Sequence, residues 1–186
     1  DPGPVLYLAL EDGQRRMQSR VSALLGEQPW PEDFHFTVDV QPRHVLQVMR
    51  EWLQTHPDTR LLVLDVLGKV QPPTNVGESA YERDYRVGGA LKAIADEHPG
   101  LALLVVHHTR KQSSEDFVDT ASGTNGLTGS ADTVLHLHRA RHAHEGVLAV
   151  TGRDAPESEI AITTDGKTWR LAGNNLDEAR RAAQQA

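Results

Sequence analysis

At 186 residues the chain is long enough for one domain with a hydrophobic core, and its 38% hydrophobic and 24% charged residues are an ordinary globular balance. No apolar run approaches the roughly 18 residues of a membrane span, and the absence of cysteine excludes disulfides and Cys-ligated zinc. The net charge of −7 argues against a surface coated in base for tight nucleic-acid binding, although a local basic loop remains compatible with it. The polar start Asp1-Pro2-Gly3-Pro4 offers no secretory signal, so the expected location is cytoplasmic.

Residues 5–10, Val-Leu-Tyr-Leu-Ala-Leu, predict a buried strand that stops at Glu11-Asp12-Gly13. Met17, Val21, Leu24 and Leu25 then recur at helical spacing, and Gly26 ends that helix. Residues 34–38 alternate and predict a second strand. A helix from Pro42 onward carries Val45, Val48, Met49, Trp52 and Leu53 on one face. The run Leu61-Leu62-Val63-Leu64-Asp65 predicts a third buried strand ending on an acid. A loop over 68–78 leads to a helix from Ser79 to His98 with Leu91, Ile94 and Ala95 inward. Residues 101–106 predict a fourth strand ending at His107-His108. The stretch 111–129 is polar and rich in Gly, Ser and Thr, too long for a tight turn, and is a candidate functional loop. Strands follow over 133–138, 147–151 and 159–164, then an Asp165-Gly166 hairpin signal and a strand at 169–171. Residues 176–186 predict a short charged helix or frayed tail.

Strands alternating with helices, then strands in succession, predict an α/β fold whose mainly parallel sheet is extended by C-terminal antiparallel strands. Ligands of such sheets bind beyond the carboxyl ends of the strands. Three predicted strands finish there on polar residues: Glu11 with Asp12, Asp65, and His107 with His108. Asp65 follows four aliphatic residues, the pattern of a Walker B acid that holds the Mg²⁺ of a nucleotide through water. Glu11 suits a base that orients or deprotonates an attacking water, or a favourable charge at a helix N-terminus. Asp12 reads as a cap for the helix that follows it.

The ordered set Leu-Tyr-Leu-Ala-Leu-Glu-Asp (6–12), Leu-Leu-Val-Leu-Asp (61–65), Tyr-Glu-Arg-Asp-Tyr (81–85), Val-Val-His-His-Thr-Arg-Lys (105–111), Ser-Gly-Thr-Asn-Gly-Leu-Thr-Gly-Ser-Ala-Asp (122–132) and Gly-Arg-Asp (152–154) resembles the RepA-like branch of the RecA-type, hexameric helicase-like P-loop ATPases. The resemblance runs from about residue 5 to residue 171. It implies a RecA-like three-layer core over 1–172 with a tail at 173–186. By position, Glu11 matches the catalytic glutamate, Asp65 the Walker B aspartate that binds Mg²⁺ through water, and His108 the γ-phosphate sensor. Arg153 matches an arginine finger directed at a neighbouring subunit, a task suited to a permanently charged planar fork. Its alternative is a strand-end arginine paired with Asp154. The loops 68–78 and 111–126 match DNA-facing loops, and Arg110 and Lys111 would contact phosphates, with Glu115, Asp116 and Asp119 diluting that charge. The implied partners are DNA, single-stranded by preference, and further copies of the chain in a ring, with no membrane; the implied cofactors are ATP and Mg²⁺.

The P-loop pattern Gly-x-x-x-x-Gly-Lys-Ser/Thr, whose backbone N–H groups wrap the phosphates, matches nowhere in the sequence. Gly166-Lys167-Thr168 and Gly68-Lys69-Val70 imitate its end but lack the upstream glycine. The expectation is that this segment alone binds no ATP tightly and is inactive, the P-loop lying upstream in a longer protein; a degenerate domain is the alternative. Glu11, Asp65, His108 and Arg153 favour the first. Two other function classes are weighed. Ten histidines, with His136 and His138 on one face of a strand and His107, His108, His142 and His144 as further possible imidazole ligands, suit a metal-dependent hydrolase. A RecA-fold module for assembly or DNA binding without catalysis is the other. No Gly-x-Ser-x-Gly elbow supports a serine nucleophile.

Overall fold

The apolar runs become four parallel strands, β1 (Val5–Ala9), β2 (Phe34–Thr37), β3 (Leu61–Asp65) and β4 (Ala102–Val106), in the order β2-β1-β3-β4. The structure is a computed structural model that describes residues 2–108, 126–140, 142–153 and 156–172. These residues fall in two compact units, Asp1–Ser130 and Ala131–Ala186. Arg110, Lys111, Asp154 and the expected tail at 173–186 lie outside the described residues.

In the first unit the strands are apolar on both faces because helices cover both. Alternation sends Leu6, Leu8, Leu62 and Leu64 to one face, where they pack with Val45, Met49 and Leu53 of α2 (Val45–Thr55) and Leu91 and Ile94 of α3 (Ala80–Asp96). Burying each such side chain contributes about 1.5–3 kcal/mol. Ala9 faces the other way, against Met17 and Val21 of α1 (Gln14–Leu25), with Tyr7, Phe34 and Phe36 around them. The result is the expected three-layer arrangement.

Helix boundaries follow local chemistry, with two corrections. Ser79 starts α3 through a capping box: its hydroxyl accepts from Glu82 N at 3.2 Å, while Glu82 Oε2 accepts from Ser79 N at 2.8 Å. Asp12 does not cap α1; the N-cap is Gly13. The Asp12 side chain, only 6% exposed, instead binds Arg16 at 3.0 Å and Arg20 one turn further on. Two guanidinium partners on the helix outcompete the local backbone contact. Leu24, expected on the inner stripe, is 60% exposed, because Met17, Val21 and Leu25 at four-residue steps take that face. Among the described residues no helix is long and apolar enough to cross a membrane.

In the second unit β5 (Thr133–His138), β6 (Glu145–Gly152), β7 (Ser158–Thr164) and β8 (Trp169–Leu171) form an antiparallel sheet in chain order. Parallel sheet and C-terminal antiparallel strands are thus both present, each a four-stranded set hydrogen-bonded within itself. Gly166, at φ 88°, turns the β7–β8 hairpin, and Asp165 Oδ1 accepts from Lys167 N at 2.8 Å and Thr168 N at 2.7 Å. Gly166-Lys167-Thr168 is therefore a hairpin turn and not a phosphate loop. Those backbone bonds hold the Asp165 carboxyl at a pKa of about 2.

Candidate active site at the carboxyl rim of the parallel sheet

The central strand β3 pairs with β1 on one side and β4 on the other, all parallel. Register places Ala9, Asp65 and Val106 side by side as the last paired residues. Each chain then continues past the sheet at the same edge. Leu10 N donates to Asp65 O at 2.6 Å, which carries the pairing one residue further, and the Asp65–Val66 peptide is cis. Glu11 and His108 each stand two residues beyond the register line. The three strand-end groups singled out in the sequence consequently share one rim.

Two contacts organise that rim. His108 Nε2 lies 3.1 Å from Glu11 Oε2, with side chains 70% and 41% exposed. An exposed pair of this kind is worth about 0–1 kcal/mol, so the strands, rather than the pair, hold these groups in place. The second contact is one that sequence reasoning missed: the Tyr7 hydroxyl donates to Asp65 Oδ2. Burial first, then the hydrogen bond to Asp65 and its charge, push the phenol well above the usual tyrosine range. Tyr7 and Asp65 fall on the same sheet face once β1 and β3 are in register, which the sequence alone does not display.

Arg153 directly follows β6, in the second unit. Its backbone N–H donates to Asp132 O at 2.9 Å, and its Nη1 lies 3.9 Å from Asp132 Oδ1, with the side chain 60% exposed. Asp132 is the partner that sequence reasoning did not name. The His136 and His138 rings stand 6.3 Å apart on β5, and burial, then the neighbouring His138, lowers the pKa of His136. Among the described residues no group of three or more His, Cys, Asp or Glu side chains is arranged to hold a metal ion. The histidine-based hydrolase finds no ligand set there.

A family model described as AAA domain, AAA_25, matches residues 1–114. The chain belongs to this AAA-domain family. The matched stretch contains Glu11, Asp65 and His108. Among solved structures, this AAA domain is similar to one described as an ATPase domain, with a TM-score of 0.73 and 13% identity, over 91% of this chain and 74% of that one. A DnaB-like replicative helicase, described with its interactions with primase, gives a TM-score of 0.68 at 14% identity, over 87% of this chain and 49% of that one. The RadB recombinase gives 0.59 at 16% identity, over 90% and 78%. A comparison with curated protein sequences found no match. At these identities the likeness is one of fold, and the AAA domain is an α/β protein of RecA-like fold.

Proposed function

We propose that this AAA domain is the nucleotide-hydrolysing core of a DNA-associated, RecA-like ATPase of the RepA type. The observation that carries the reading is the convergence of Glu11, Asp65 and His108 from three adjacent parallel strands onto one rim. Glu11 is the base that orients the attacking water and takes its proton. His108, in contact with Glu11, senses the γ-phosphate. Arg153 serves a neighbouring subunit's nucleotide. The descriptions of the similar structures, an ATPase domain, a replicative helicase and a recombinase, support the same class.

Asp65 fits Mg²⁺ by the chemistry of its place: Mg²⁺ keeps most of its waters and needs only one or two carboxylates beside the substrate phosphates. Bound Mg²⁺ and ATP would supply the phosphoryl group and the charge neutralisation for its transfer. The residues of this chain supply an acceptor for the water's proton, a hydrogen-bonded carboxylate and an imidazole. Because residues 1–186 contain no Gly-x-x-x-x-Gly-Lys-Ser/Thr, we assign tight nucleotide binding to a full-length protein that carries a P-loop beside this domain. Arg110 and Lys111 are assigned to DNA phosphates, single-stranded DNA being the favoured partner and a homo-oligomeric ring in the cytoplasm the working form.

The test is ATP hydrolysis by the full-length protein with and without single-stranded DNA. Glu11→Gln and Asp65→Asn are each expected to slow it by about 10²–10⁴-fold, the usual worth of a positioned proton acceptor and a comparable loss of the metal ligand. Unchanged rates in both variants would sink the proposal. Oligomers that never turn over ATP would instead identify a non-catalytic assembly module.

A further inference from the structure

Tyr7 sits on β1 two residues before Ala9, the register partner of Asp65, and its phenol donates to Asp65 Oδ2. One oxygen of the carboxylate is thereby committed to a neutral donor. The phenol is half-buried.

We propose that Tyr7 is a positioning residue that clamps Oδ2 and presents Oδ1 of Asp65 to the hydrated Mg²⁺ of a bound nucleotide. The proposal rests on the reading of Asp65 given above. The physical reason is directional. Rotation of a carboxylate about its last side-chain bond is soft, whereas Mg²⁺ and its waters accept only near-octahedral geometry. A hydrogen bond to one oxygen removes that freedom without adding charge. Groups that orient a ligand in this way typically set metal affinity by about 10–100-fold.

The experiment uses the full-length protein with ATP and Mn²⁺ in place of Mg²⁺, Mn²⁺ binding being read by electron paramagnetic resonance. Tyr7→Phe, which keeps the ring, is expected to weaken Mn²⁺ binding about tenfold with an unchanged urea midpoint, and Asp65→Asn to abolish it. Mn²⁺ affinity within twofold of wild type in Tyr7→Phe, with Asp65→Asn still deficient, overturns the clamp and leaves the role of Asp65 standing. Wild-type affinity in Asp65→Asn overturns both.

Discussion

His108 Nε2 and Glu11 Oε2 meet at 3.1 Å although 97 residues separate them in the chain. Their strands are not neighbours. With β3 between β1 and β4, the two backbones stand about 9.6 Å apart, twice the usual strand spacing. The two side chains close that distance beyond the paired ends of the strands. The residues we propose as proton acceptor and γ-phosphate sensor are thus in contact although their strands are not adjacent.

Because both members of that pair are exposed, His108→Ala should alter stability by less than about 0.5 kcal/mol in urea unfolding. In the full-length protein the same substitution should lower DNA-stimulated ATP hydrolysis at least tenfold, on the order of one lost charge-stabilising contact. A large stability loss with normal hydrolysis would assign the histidine to the scaffold.

Arg153 is anchored through its backbone to Asp132, and its side chain is 60% exposed. If it serves an adjacent subunit, Arg153→Ala and Glu11→Gln should each be inactive alone. Mixing them should recover part of the hydrolysis, since some interfaces then combine an intact glutamate with an intact arginine. Mixtures no more active than either parent would place the arginine's role within its own subunit or outside catalysis.

Two neighbouring glycines in α3 should respond with opposite signs. A Cβ at Gly88 would stand 2.8 Å from Ser130 Cβ and 2.9 Å from its Oγ, whereas one at Gly89 meets nothing within 4 Å. Gly88→Ala should cost about 1–3 kcal/mol through overpacking, and Gly89→Ala should add about 0.5–1 kcal/mol through helix entropy. Urea unfolding of the two variants measures both.

The carboxyl of Asp165, lowered from 3.8 to about 2 by the amides of Thr168 and Lys167, should be visible as a late carboxyl titration by NMR. A depressed folded-state pKa means that the hairpin's contribution is complete above pH 3.8 and is lost as pH falls through about 2. A midpoint at the ordinary aspartate value would show that the turn bonds do not form in solution.

Much of this is legible in the sequence because the deciding forces are local. The run Leu61-Leu62-Val63-Leu64-Asp65 fixes β3 to the residue, since continuous aliphatics fit a strand covered on both faces and the acid marks its open end. The Ser79/Glu82 box announces the start of α3 for the same reason. Sequence reasoning fails where a distant or competing partner decides. Asp12 reads as a cap until Arg16 and Arg20 claim it, and Leu24 loses the inner face to Leu25. Tyr7 has the pattern of strand core; only register brings its hydroxyl to Asp65. Arg153 meets Asp132, twenty-one positions earlier in the chain, through the pairing of β5 with β6.

Register also governs what evolution is free to change. Since Ala9, Asp65 and Val106 are tied rung to rung, the spacing of the rim groups is independent of how many residues the connections contain. Lengthening the 68–78 turn would extend the path from Asp65 to His108 without moving either end. Gaps in alignments of this domain therefore belong in the connections, and a single-residue deletion inside β1, β3 or β4 would do far more harm than a ten-residue insertion between them.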